Sequence, residues 1–500
     1  MILQNGVIRT LDPSLPLARS LAIAGDRIAG GVGVHETSLA SPETVDLGGL
    51  TVLPGFTDSH VHFPTWAMTQ REVKLEAATS IADALDRIRA SGFRRGYGWR
   101  DAEWPDGPPT KEHLDTLFPD VPAAFISKDF HSLWVNSAAL ALAGGNLDVE
   151  GGVVERDERG EPTGVLREES AWKFKDRHLE YSPEEYVDAM RIAMRLANSR
   201  GVVAYHDKDG WIGAVGLWQQ LERQTPLTLR VWQSTPWESI PHLRAIGQRS
   251  GVGSPFLRLG YLKAFMDGTL GSQTAWMLDG SGVCITSGAQ LAEIVREAAE
   301  IGWPVAVHAI GDLANREALD AFEQTRDAWQ PRGLRQRIEH AQCVHQDDLP
   351  RFAQLGVAVS PQFTHAPSDE HLAKRFWADR LEQTYSFRSL LDSGALLANG
   401  SDAPVEELDP WAGVVASTLD HWREDERLTL EQALHATCVA PAWLSHDERV
   451  RGTLVPGRYA DLVVLDRDPF ALEDPEELRE VQVVATMVAG RWAHNPPPWG

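Results

Sequence analysis

The sequence predicts an α/β protein: a (β/α)8 TIM barrel accompanied by a small β-sandwich that both chain ends build together. Three observations predict it. Short apolar strand candidates recur through the middle with helical stretches between them. Both ends are β-rich, and metal-capable side chains fall at the ends of five strands in turn. At 500 residues the chain is long enough for such a barrel with additional pieces.

The N-terminal stretch "ILQNGVI" carries Asn5-Gly6 between apolar pairs, the signal of a tight hairpin, and "SLAIAGDRIAGG" repeats it around Gly25-Asp26. At the other end "YADLVVLDRDP" reads as a strand, and "VQVVATMVAGRWAHN" as two strands about a Gly490-Arg491 turn. Residues 1–50 and 450–500 are therefore expected to form one composite β-sandwich, with the barrel at 51–449. Strand candidates in the middle are 51–59, 122–127, 202–206, 228–233, 257–263, 304–308, 336–340, 356–360 and 395–400. "SIADALDRIRAS", "SPEEYVDAMRIAMRLANSRG" and "LAEIVREAAEIG" have helical periodicity. Nine candidates compete for eight places, and 122–127 is the odd one out. The Pro-, Gly- and Trp-rich segment before it has no clean helical period, and "GGNLDVEGGVVERDERGEPTGV" after it reads as a loop or hairpin. Residues from about 95 to 180 are thus expected to be an insertion after the first barrel strand, placed over the barrel mouth.

Composition narrows the partners. The formal net charge is −24, against a nucleic-acid partner, which would want a basic surface. No apolar run is long enough to span a bilayer, and the N-terminus lacks a basic region followed by an apolar core, so neither a membrane partner nor a secretory signal is expected. Cys284, Cys343 and Cys438 are far apart and odd in number; they read as small buried side chains in a reducing cytoplasm rather than as a disulfide framework. The 18 tryptophans fit either core packing or an aromatic-walled pocket.

The chemistry lies at the strand ends. "TVLPGFTDSHVH" ends in His60 and His62, "RLGYLKAF" carries Lys263, "WPVAVHAIGD" carries His308, "QRIEHAQ" carries His340 and "ALLANGSDAPV" carries Asp402. In a parallel barrel these ends share one rim. A lone histidine there is more often only hydrogen-bonded, but the ordered set points to metal ligands. Glu339 and Asp58 neighbour ligands, yet strand alternation turns them away, so both read as strand core. His206, ending "GVVAYHD", faces the mouth in this reading without being a ligand.

The ordered set resembles the metal-dependent amidohydrolase superfamily. "LPGFTDSHVHF", "DFHSLWVNSAAL", "LKAFMDGTLGSQTA", "VAVHAIGD", "RIEHAQ" and "NGSDAPV", over roughly 50 to 410, resemble its YtcJ-like and N-substituted formamide deformylase-like branch (amidohydrolase family 3). The resemblance implies two divalent metal ions, zinc being the expectation. His60, His62 and Asp402 would hold the buried ion and His308 and His340 the exposed one, with N-carboxylated Lys263 as the bridge. Asp402 would act as base and then acid in cleaving a C–N bond of a small-molecule amide, N-acyl or N-formyl. His131, Trp134 and Asn136 resemble the branch's insertion motif and, with Asp267, Gly268 and Thr269, are candidates to line the substrate pocket. The same binuclear site would also serve ester or cyclic-amide hydrolysis. Deamination is disfavoured because Gly311 stands where deaminases of the superfamily place a glutamate, and a non-catalytic scaffold because all six ligand positions are filled. The resemblance leaves homo-oligomerisation open.

Overall fold

The structure, a computed structural model, describes residues 1–30, 40–179 and 181–498; residues 31–39 of the expected sandwich, Glu180 at the end of the expected insertion and residues 499–500 lie outside it. Its centre is a sheet of seven parallel strands: Phe56–Val61, Val202–Asp207, Arg230–Pro236, Leu257–Phe265, Val305–Ala309, Arg337–His340 and Ala358–Ser360. Residues 396–403 run between its two edges. Leu397 bridges Val359 and Ala403 bridges Val61, while the amides of Ser59 and Asp402 donate to the carbonyls of Asn399 and His60. The seven strands and this eighth segment make a TIM-like α/β barrel. The strands are buried on both faces, which is why they read as near-continuous apolar runs.

Local signals set the helix ends. The Ser80 hydroxyl accepts from the amide of Asp83 at the start of Ile81–Ser91, which ends at Gly92 with φ of 68°. Ser182 and Glu185 form a capping box at the start of Pro183–Ser199, with proline at its first position. Among the described residues no helix is long and apolar enough to cross a membrane.

The chain ends form two sheets, one of four strands and one of six, and the apolar side chains of both, from Leu3 and Ile8 to Leu462 and Met487, share one core. Gly25-Asp26 closes a two-residue hairpin between Leu21–Ala24 and Arg27–Gly30. Asn5-Gly6 does not close one. Ile2–Gln4 pairs in the four-stranded sheet and Val7–Arg9 in the six-stranded sheet, so the turn carries the chain from one sheet to the other. At the C-terminal end the hairpin turn is Ala489-Gly490, one residue earlier than expected, with φ of 50° and 71°. The expected strand 51–59 is two strands. Thr51–Pro54 belongs to the six-stranded terminal sheet, and Phe56–Val61 begins the barrel. Between them Gly55 passes so close to Val203 that a Cβ would lie 2.3 Å from its Cγ1.

Between the first and second barrel strands stands a separate six-stranded sheet that holds Ala124–Ser127, together with the hairpin of Gly152–Arg156 and Pro162–Glu168. It starts upstream of residue 95: Val73–Lys74 pairs with Arg95–Trp99, and helix Ile81–Ser91 packs into the sheet's core through Ile81, Ala84 and Ile88. Ion pairs tie this unit to the barrel, Arg100 to Asp369 of helix His365–Phe376 at 3.1 Å and Lys128 to Glu406 at 2.8 Å.

Candidate metal centre

His60, His62, Lys263, His308, His340 and Asp402 all line one cavity of about 950 Å³ between the barrel rim and the inserted sheet. His60 Nε2 lies 3.2 Å and His62 Nε2 3.5 Å from Asp402 Oδ1, and His340 Nδ1 lies 3.8 Å from Oδ2. His60, His340 and Asp402 each offer a ligand atom within 4.8 Å of the others. The ring of His308 is 4.4 Å from that of His340.

Each histidine is tied down through one ring nitrogen, leaving the other free. Nδ1 of His60 is 2.8 Å from Glu339 Oε2, and Nδ1 of His62 is 2.8 Å from Asp209 Oδ1. Nδ1 of His340 is 2.7 Å from Gln362 Oε1, and Nε2 of His308 is 3.0 Å from the carbonyl of Gly268. This is how metal-binding imidazoles are held: the outer partner fixes tautomer and ring orientation. Burial, together with the nearby cationic Lys263, keeps His308 well below the usual histidine range; for His340, burial and the neighbouring His308 do the same. Both stay neutral, as ligands must be. Burial alone would raise Asp402, but the surrounding histidines hold it well below the carboxylate range, so it is ionised.

Lys263 is 1% exposed, and burial pulls its amine down to about 8 against the opposing pull of Glu339 and Asp402. Its Nζ and the Nε2 of His60 are buried without a hydrogen-bond partner. Leaving such groups unsatisfied is costly, so an orphaned amine beside an imidazole nitrogen whose lone pair is free, because Nδ1 donates to Glu339, fits a metal site.

Two of the cavity residues depart from regular strand geometry. His340 and Asp402 have φ of 72° and 58°. The turn at His340 lets it face the cavity while Glu339, immediately before it, also points inward. Glu339 is thus not passive strand core: its Oε1 meets Lys208 Nζ at 2.9 Å and Arg337 Nε at 2.7 Å beneath His60. Asp58 does belong to the strand framework, accepting from the amides of His60 and Ser401, both at 3.0 Å. His206 is not at the mouth; it is inside the barrel with its Nδ1 3.1 Å from Arg337 Nη1.

The expected pocket residues divide. His131 lines the cavity, its ring 5.9 Å from His308, and Thr269 lines it too. Burial would lower His131, but Glu168 and Asp129 outweigh it and raise the ring to about 9. Trp134 and Asn136 do not reach the cavity. Trp134 is wholly buried in the inserted sheet's core against Trp99, Trp104 and Phe125, donating to the carbonyl of Thr110. Asn136 caps helix Ser137–Leu142 and donates to the carbonyls of Phe118 and Val121. Asp267 also lies outside the lining; its carboxylate accepts from the amides of Trp276, Ile310 and Gly311 and so shapes the loop beside His308. Tryptophan serves both purposes weighed from composition: Trp66, Trp218 and Trp303 fill cores, while Trp172, Trp211 and Trp237 wall the cavity. Cys343 and Cys438 are buried, but Cys284 is exposed, on a loop rather than in a core. Asp209, Gln362 and Lys208 carry no sequence signal, since what marks them is contact with His62, His340 and Glu339, 147, 22 and 131 residues away.

The signature of the amidohydrolase family matches residues 43–494. The putative amidohydrolase YtcJ of Bacillus subtilis (strain 168) is 31% identical, over 93% of this chain and 94% of its own. The N-substituted formamide deformylase of Arthrobacter pascens is 26% identical, over 98% and 97%. The crystal structure of an uncharacterized metal-dependent hydrolase from Pyrococcus horikoshii OT3 superposes with a TM-score of 0.79 at 30% identity, covering 94% of this chain and 98% of that one. This chain is a hydrolase belonging to the amidohydrolase family.

Proposed function

We propose that the protein is a metal-dependent hydrolase that cleaves a C–N bond of a small-molecule amide, N-acyl or N-formyl. One observation carries this reading: four histidines, each anchored through one nitrogen, converge with Asp402 and an unpartnered buried Lys263 on a single cavity. His60, His62 and Asp402 would hold one divalent ion and His308 and His340 a second, zinc in each case, with Lys263 carboxylated between them. A low-pKa buried amine is the form that reacts with carbon dioxide, releasing a proton as the N–C bond forms. When bound, the ions supply Lewis acidity toward the carbonyl and lower the pKa of water. The chain supplies the rest. Asp402, ionised on the cavity floor, accepts a proton from the attacking water and hands it to the leaving nitrogen, which departs poorly unless protonated. Trp172, Trp211 and Trp237 give the substrate an aromatic wall to pack against. Deamination fits less well: a Cβ at Gly311 would lie 2.1 Å from the carbonyl oxygen of Trp276, so the position has no room for the carboxylate that reaction wants. In the same reading the two terminal sheets make one composite β-sandwich beside the barrel, and the three free thiols favour the reducing cytoplasm.

The test is a screen of N-formyl and N-acyl amines with protein as purified and after chelation. The reading expects hydrolysis that chelation abolishes and zinc restores. Hydrolysis persisting undiminished in metal-free protein contradicts it.

A further inference from the structure

The inserted sheet does more than cover the mouth. Its last strand, Pro162–Glu168, runs directly into helix Glu169–His178, and Glu168 at the junction has φ of 52° and ψ of −132°. This is a conformation that favours glycine, and a strained strand-to-helix turn of this kind is a device for aiming a side chain. The side chain aimed here is wholly buried. Oε2 lies 2.6 Å from His131 Nδ1, and Oε1 accepts from the Thr274 hydroxyl at 2.7 Å. Gly268 makes room for it, since a Cβ there would fall 2.8 Å from Oε1.

His131 is held at two further points. Trp172 packs edge-on at 4.9 Å between ring centres, and the His131 amide donates to Asp129 at 3.2 Å. Asp129 in turn accepts from Thr269 and Ser272 of the barrel loop, at 2.8 and 2.7 Å, which locks inserted sheet and rim together. The Nε2 of His131 makes no hydrogen bond among the described residues, and the ring lines the cavity beside His308. The arrangement, a histidine with one nitrogen on a buried carboxylate and the other presented to a cavity, is that of a group positioned for work on a substrate.

We propose that His131 is a catalytic residue supplied by the inserted sheet, hydrogen-bonding the amide group under attack, and that Glu168 is its positioning residue. The inference rests on the hydrolase reading above. His131→Phe, His131→Gln, Glu168→Gln and Thr274→Val are compared with the wild-type holoenzyme on the N-acyl or N-formyl amine it hydrolyses fastest, with 4-nitroacetanilide as a chromogenic reference. Metal content and Tm are measured on each. His131→Phe lowers kcat about 100-fold with little change in KM and none in metal content. His131→Gln, whose amide reaches the place of Nε2, recovers part of that loss. Glu168→Gln lowers kcat about 10- to 100-fold because a neutral amide replaces the charged acceptor that holds the His131 Nδ1 proton. Thr274→Val, which frees Oε1 alone, loses less. Full kcat in His131→Phe overturns the proposal, as does loss of metal in that variant, which would make His131 a ligand. Wild-type kcat in Glu168→Gln overturns the positioning role. A wild-type enzyme inert on every amide sinks the hydrolase reading itself, and this proposal with it.

Discussion

Glu339→Gln tests how the barrel interior supports the site. The carboxylate is wholly buried and meets three groups: His60 Nδ1 at 2.8 Å, Lys208 Nζ at 2.9 Å and Arg337 Nε at 2.7 Å. Lys208 and Arg337 are themselves fully buried, so Glu339 is the anion that offsets both. Glutamine keeps the volume and removes the charge. Both carboxylate oxygens now face donors, so either orientation of the amide sets an NH2 against an N–H. Breaking a buried ion pair by removing one partner costs about 3–5 kcal/mol, and an outer-shell partner of a metal ligand is worth about 10- to 100-fold in metal affinity. Equilibrium urea unfolding of metal-free protein measures the first, and zinc titration against a chromogenic chelator the second. Burial alone would raise Glu339, but Arg337, His60 and Lys263 hold it below the ordinary value of 4.5. Its stabilising contribution is therefore complete above about pH 4.5 and is lost as the pH falls toward the folded value. The gap between wild type and Glu339→Gln closes on acidification. Adding Lys208→Met should recover part of the stability, one uncompensated cation having gone. A Glu339→Gln protein with wild-type urea midpoint and wild-type zinc affinity refutes the reasoning.

Other expectations follow from the same geometry. Lys263→Ala should lose activity and one of two metals, with short carboxylic acids restoring some of either; full activity with both metals present would remove the bridging role. Asp402→Asn should keep the fold by circular dichroism and abolish turnover, since an amide can neither accept nor return the proton. Trp134→Ala should destabilise the inserted sheet by about 3–5 kcal/mol, read by thermal unfolding, and leave the KM of folded enzyme unchanged; a raised KM with unchanged stability would return Trp134 to the pocket.

The barrel, and the strand-end residues that meet in its cavity, were legible because both depend on local pattern. A parallel strand buried on two faces is an apolar run, and a ligand at its end is one position in that run. Legibility failed where contacts are made across the fold. Alternation along "RIEH" turns Glu339 outward on paper, and only the left-handed turn at His340 lets both residues face inward. Asn5-Gly6 has hairpin chemistry, but its flanking strands find partners 8 to 44 residues away in two different sheets. Trp134 and Asn136 sit beside His131 in one motif, yet the strand and helix cap that hold them face the inserted sheet's own core. The strain at Glu168 leaves no trace in "VLREESA", because nothing in its composition marks a backbone that only tertiary packing imposes.

The most direct test of the central claim is a crystal structure of protein purified without chelator, with anomalous scattering collected at the zinc edge. The account predicts two peaks in the cavity, one among His60, His62 and Asp402 and one beside His308 and His340, joined by carboxylate density on Lys263 Nζ. A cavity with no metal peak, in protein whose amide hydrolysis survives chelation, would contradict it.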